Sequence, residues 1–175
     1  MSYTTILYAI DIEKLKEAVY GKDATFLRRV LIEQPEAVSW QLDERGPTLG
    51  KALDRLVMGS HGQAQQTKLE GYALKLLCEV LGERLPDDDC IGSIESLEVD
   101  SPLVALRLPV NIPANDDYPF ISFLNQSETR RESERLAGID LDFPPDSSVA
   151  MARHAYAECV AIAVAKGQGV MSFYY

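Results

Sequence analysis

Cys159-Val160-Ala161-Ile162-Ala163-Val164-Ala165-Lys166-Gly167-Gln168-Gly169-Val170-Met171-Ser172-Phe173-Tyr174-Tyr175 is the stretch that decides the fold class. Its first half continues a helical pattern that Ser147 or Ser148 can cap, with Val149, Ala152, Tyr156, Cys159, Val160 and Ala163 as the apolar stripe. Gly167-Gln168-Gly169 ends the helix near Lys166, and the aromatic and β-branched residues that follow suit a final strand. The other end of the chain mirrors this order. Tyr3 to Ile10 is rich in Thr, Ile, Leu and Tyr, and Asp11 can cap a helix running through Glu13, Leu15, Ala18 and Val19 to Gly21.

Helical spacing dominates the next segment. Asp23 can cap a helix carrying Phe26, Leu27, Val30 and Leu31, which Pro35 closes or follows with a short turn. Thr48 precedes Leu49, Ala52, Leu53, Leu56 and Val57, and Gly59-Ser60-His61-Gly62 interrupts that pattern. From Gln65 to Leu81 the apolar stripe is so broad that it predicts a largely buried helix, stopped by Gly82 and Pro86. Beyond it, prolines bound two short apolar runs, Leu103–Val110 and Phe120–Leu124, which read as strands that pair around Asn115-Asp116-Asp117. Glu128–Leu136 reads as an exposed helix ending at Gly138, its Arg130, Arg131 and Arg135 salt-bridged beside Glu128, Glu132 and Glu134. With no repeat and no linker, residues 1–175 form one α+β domain of about six helices around a small antiparallel or mixed sheet, with strands at both termini.

Composition bounds the function classes. At 175 residues and 46% hydrophobic, the chain can bury a core without disulfides or metal. Cys78, Cys90 and Cys159 are odd in number and lack CxxC spacing, so they read as reduced thiols of a cytoplasmic protein. The short run Ile6–Ile10 is neither signal peptide nor membrane span. A net charge of −10 argues against nucleic acid, whose binding relies on basic side chains displacing counterions. The excess is concentrated: residues 86–117 carry Asp87, Asp88, Asp89, Glu95, Glu98, Asp100, Asp116 and Asp117 against Arg107, a local balance of −7.

Three constellations are candidates for chemistry, and each has a plainer reading. Residues 87–98 come near a calcium loop, with Asp87, Asp89, Gly92 and Glu98 in place; Ile91 stands where an oxygen ligand belongs, and Pro102 shortens any exiting helix. The plainer reading is an acidic loop that ends a helix. Ser60 and His61 sit on a glycine-flanked interhelical loop without the spacing of a nucleophile elbow or an identifiable third group. His154 and Glu158, four apart, point away from the apolar stripe and read as a solvated ion pair. The terminal aromatics, Tyr3, Tyr8, Phe173, Tyr174 and Tyr175, read as cross-strand packing. No phosphate loop or dinucleotide fingerprint occurs, and no cofactor is expected.

Tyr8-Ala9-Ile10-Asp11, Gly71-Tyr72-Ala73-Leu74, Leu81-Gly82-Glu83, Asp117-Tyr118-Pro119-Phe120-Ile121 and Phe173-Tyr174-Tyr175 resemble a family of uncharacterised bacterial proteins, domains of unknown function, over nearly the whole chain. The strand–helix opening and helix–strand closing are also similar to the YfbM-like small cytosolic proteins. The resemblance implies a bacterial, cytoplasmic, single-domain protein and brings no catalytic residues. The residues themselves point first to a protein-interaction module whose acidic face, residues 86–117, meets a basic partner, as an immunity or regulatory protein. The alternatives are a small hydrolase or ligand-binding protein with a pocket near Ser60, His61 and the terminal strands, and a calcium-responsive loop holding metal through Asp87, Asp89 and Glu98.

Overall fold

A computed structural model of the chain describes residues 4–41, 44, 46–59, 67–86, 91–97, 99–112, 119–139 and 147–175. The terminal strands β1 (Thr5–Ile10) and β4 (Gly169–Tyr174) pair antiparallel along their whole length, from Thr5 opposite Tyr174 to Ile10 opposite Gly169. The outer positions go to β3 (Phe120–Leu124) beside β4 and to the two-residue β2 (Glu83–Arg84) beside β1, giving the order β2-β1-β4-β3. Every pairing in the sheet is antiparallel.

Side chains that alternate along a strand leave on opposite faces, and here both faces are covered. Tyr8, Ile10, Met171 and Phe173 join one core, with α1 (Ile12–Ala18), α2 (Ala24–Glu33), α4 (Leu49–Met58) and α5 (Thr67–Leu81). Leu7, Ala9 and Val170 join the other, under α7 (Ser148–Ala165), which packs against α6 (Gln126–Ala137). Burial on both faces explains why the central strands read as continuous apolar runs. Part of the second core is roofed by chain with little regular structure: Ile91, Ile94, Leu97, Val99 and Leu103 all point inward. Each such side chain contributes roughly 2 kcal/mol of transfer free energy.

Local signals set most helix starts. Asp11 accepts the N–H groups of Glu13 and Lys14, Asp23 those of Thr25 and Phe26, Thr48 that of Lys51, and Ser147 that of Ala150. Gly59 closes α4 in the left-handed region at φ 78°, where glycine carries no steric penalty.

The structure corrects several expectations. Seven helices are described where about six were expected, the additional one being a short helix, α3 (Pro35–Ser39), that Pro35 starts. Leu103–Val110 is not a strand. Pro102 instead opens a 3₁₀ turn, Pro102–Val104, capped by the Ser101 hydroxyl on Leu103 N–H. Pro102 and Pro109 bring no N–H donors to a ladder, and the segment reaches β3 through Arg107 N–H on the Ile121 carbonyl and Ser122 Oγ on that of Ala105. The proposed turn at 115–117 lies outside the described residues. α6 starts earlier than expected, at Gln126, and is not wholly exposed: Thr129 and Glu132 are buried. On α7, Val149 is only half-buried, and Ala150 and Arg153 join the buried side. Among the described residues, no helix is long and apolar enough to cross a membrane.

Candidate functional site

An open groove of about 280 Å³ runs between α3 and α5, lined by Glu36, Ala37, Trp40, Leu49, Tyr72, Lys75, Leu76 and Glu79. The spacing of α5 builds one wall: Tyr72, Lys75, Leu76 and Glu79 recur at helical steps and share a face. The other wall depends on Trp40, the residue that ends α3. Its N–H donates to the Ala37 carbonyl and its own carbonyl accepts the Leu49 N–H at 2.8 Å, so the backbone is held while the indole stays 41% exposed. That ring leans on Tyr72, with centroids 5.0 Å apart, and Tyr72 in turn meets Tyr175 at 5.6 Å. The stack therefore joins α3, α5 and the C-terminal residue.

Charge is organised behind these rings. Glu79 Oε1 accepts from Lys75 Nζ at 2.8 Å and from the Tyr8 hydroxyl at 2.9 Å. Burial, reinforced by the Glu79 carboxylate, pushes the Tyr8 phenol far above its ordinary range, so it stays a donor. Lys75 Nζ also lies 5.9 Å from the centre of the Tyr175 ring. Burial raises the Tyr175 phenol as well, and its hydroxyl is buried without a hydrogen-bond partner. Glu36 is exposed and forms no ion pair with any described residue.

A second constellation lies on the opposite side of the sheet. Glu132, 3% exposed, accepts the Tyr156 hydroxyl at 2.7 Å and both prongs of the Arg135 guanidinium at 2.7 and 2.8 Å. Ser101 Oγ lies 2.8 Å from the Tyr156 oxygen. Burial works to raise the Glu132 carboxyl, but the hydrogen bonds from Arg135, Tyr156 and Ser101 outweigh it and hold the group below its usual range. Burial and the Glu132 charge drive Tyr156 well upward. The network ties α6, α7 and the 99–104 segment together. A shallow hollow of about 230 Å³ opens beside it, lined by Asp100, Pro102, Glu128, Arg131, Glu132 and Arg135.

Ser60, His61, Asp87, Asp88, Asp89, Glu98, Asp116 and Asp117 lie outside the described residues. Of the acidic stretch, Glu95 and Asp100 are both exposed, on the outer side of the segment whose apolar residues roof the second core. Ile91, in the oxygen-ligand position of the calcium pattern, is fully buried, and its carbonyl accepts the Thr5 N–H at 3.0 Å. Among the described residues, no three His, Cys, Asp or Glu side chains are arranged to hold a metal ion. His154 and Glu158 are exposed as expected, but no ion pair joins them: in water, ordering two side chains offsets the small Coulomb gain. Arg135 does pair with Glu132, whereas Glu128 takes its partner, Arg107, from outside the helix.

The terminal aromatics divide. Tyr8 and Phe173 pack edge to face with centroids 5.8 Å apart, as cross-strand packing requires, whereas Tyr175 follows the last strand and packs on Tyr72. Trp40, Glu36, Lys75 and Glu79 did not stand out in the sequence. The one available signal is a lone tryptophan soon after Pro35, since Tyr72 is indistinguishable from the rest of a buried stripe.

No curated protein and no solved structure matches the chain. A family model described as a domain of unknown function, DUF7691, matches residues 1–175, and the chain therefore belongs to that family.

Proposed function

We propose that the protein is a binding protein whose site is the groove between α3 and α5. The observation that carries this reading is Trp40: a large aromatic side chain, 41% exposed, on a backbone hydrogen-bonded at both its N–H and its carbonyl, facing a concave surface. Ordered aromatic surface in a concavity with a few polar groups is the usual composition of a ligand site. The reading rests on groove residues alone, with Tyr175 packed on Tyr72, and makes no use of Ser60 or His61. The test is thermal unfolding against a metabolite panel for the parent and for Trp40→Ala. A ligand at a hundred times its Kd adds about 2.7 kcal/mol to the folded state. A shift seen with the parent and absent from the variant is expected; an equal shift in both places the ligand elsewhere.

A second reading is favoured by a separate observation, the −7 balance of residues 86–117. There the acidic face receives a basic protein, as an immunity or regulatory protein would, with association accelerated by charge. Glu95 and Asp100 are exposed on the outer side of this segment. Capture of partners from the source cell at low salt, by the parent and by a variant carrying Asp87→Asn, Asp88→Asn and Asp89→Asn, tests it. A basic protein retained by the parent alone supports the reading, and equal retention by both overturns it.

A further inference from the structure

We infer that the groove selects a small, flat organic cation bearing N–H donors, such as an amidinium or a guanidinium; the inference rests on the groove reading and names its ligand class. Two carboxylates, Glu36 and Glu79, line the groove against one ammonium, Lys75. Lys75 is already engaged by Glu79, so the carboxylate left uncompensated is Glu36. The remaining large surface is the exposed ring of Trp40, backed by Tyr72, whose electron-rich face attracts cations and accepts flat groups in stacking.

The assembly already holds one cation in this manner. Lys75 Nζ sits over the Tyr175 ring while a carboxylate fixes it, and the groove offers an incoming ligand the same pair of features in Trp40 and Glu36. A neutral ligand would stack and could donate an N–H to a carboxylate, but without the added strength of a charge-assisted hydrogen bond. An anion would have to displace Glu79 from Lys75 and face Glu36. At −10, the whole molecule adds a field that raises the local concentration of cations.

Trp40 is the chain's single tryptophan, so intrinsic fluorescence reports on the groove without labelling. Benzamidinium, benzamide and benzoate have nearly the same shape and differ in charge, and titrating each into the parent, Glu36→Gln and Glu79→Gln separates stacking from charge. The expected result is saturable quenching by benzamidinium, about fivefold tighter than by benzamide, with benzoate weakest and the preference shrinking in Glu36→Gln. Glu36 is exposed and unpaired among the described residues, so its variant is expected to keep the fold, which the melting temperature of each variant checks directly. Equal binding of benzamide, tighter binding of benzoate, or an unchanged preference in Glu36→Gln overturns the cation inference and leaves the groove reading standing. Absence of saturable quenching by all three probes overturns the cation inference, and the groove reading is then decided by the metabolite panel with Trp40→Ala.

Discussion

Tyr20 and Lys22 adopt positive φ, 61° and 56°, although Gly21 lies between them. The sequence places a glycine where a turn is needed, yet its neighbours take the left-handed conformation. The reason is docking: Tyr20 and Lys22 donate their N–H groups to the carbonyls of Leu56 and Val57, near the end of α4, at 2.9 and 3.0 Å. Gly21 serves a different constraint, since a Cβ there would lie 2.1 Å from the Glu17 carbonyl oxygen. A left-handed backbone costs a side-chain-bearing residue roughly 1–2 kcal/mol. Lys22→Gly is therefore expected to raise stability by about 0.5–1 kcal/mol, after the larger unfolded-state entropy of glycine is subtracted. A urea midpoint that rises without a change in slope is the signature, and a fall would show that the Lys22 side chain matters more than its backbone.

Glu132 belongs to the same scale. Its folded-state carboxyl is held below the ordinary range, so its stabilisation is complete above the unfolded carboxylate pKa and is lost as pH falls through the depressed folded value. Glu132→Gln keeps the shape but removes the charge that Arg135 and Tyr156 address, at an expected cost of about 2 kcal/mol. The variant should also lose part of the parent's decline in stability on acidification. Parallel urea titrations across the acid range check both effects, and parallel pH profiles would assign the decline to other carboxylates.

Among the elements, α6 is the most dependent on its cap. Its mean hydropathy is low, so packing alone contributes less than it does in α5 or α7. Asn125 Oδ1 accepts the Glu128 N–H at 3.0 Å while Glu128 Oε2 accepts the Asn125 N–H at 2.9 Å, a reciprocal pair that satisfies two otherwise orphan donors. Glu128 also reaches Arg107 at 3.0 Å, which ties the helix start to the segment before β3. Asn125→Ala is expected to cost about 1 kcal/mol, with amide exchange accelerated at the start of α6. Unchanged exchange there would mean that tertiary contacts, not the cap, hold the first turn.

Over the whole molecule, the charge of −10 opposes compaction. Raising sodium chloride from low to about 0.5 M shortens the screening length to a few ångströms and is expected to raise Tm by a few degrees. Calorimetry at both salt concentrations measures this, and a lower Tm in salt would show that attractive ion pairs outweigh the repulsion. The same scale explains the acidic stretch. Its described portion covers the second core with an apolar underside and presents Glu95 and Asp100 outward, so part of its charge is the wet side of a packed segment.

Both terminal strands, the caps at Asp11, Asp23, Thr48 and Ser147, and the apolar faces of the helices are legible in the sequence, because each depends on residues within a few positions of one another. The sequence also determined the α+β class and the acidic excess. The strand order, the loss of a strand between Leu103 and Val110, and the burial of Glu132 and Arg153 were decided by tertiary structure. So was the groove. Trp40, Tyr72 and Tyr175 are far apart in sequence, and they meet only because β4 returns to pair with β1 beneath α5 while the Trp40 backbone is bonded to the first residue of α4. Local periodicity reports which face of an element is apolar; which faces meet depends on the packing of the whole chain.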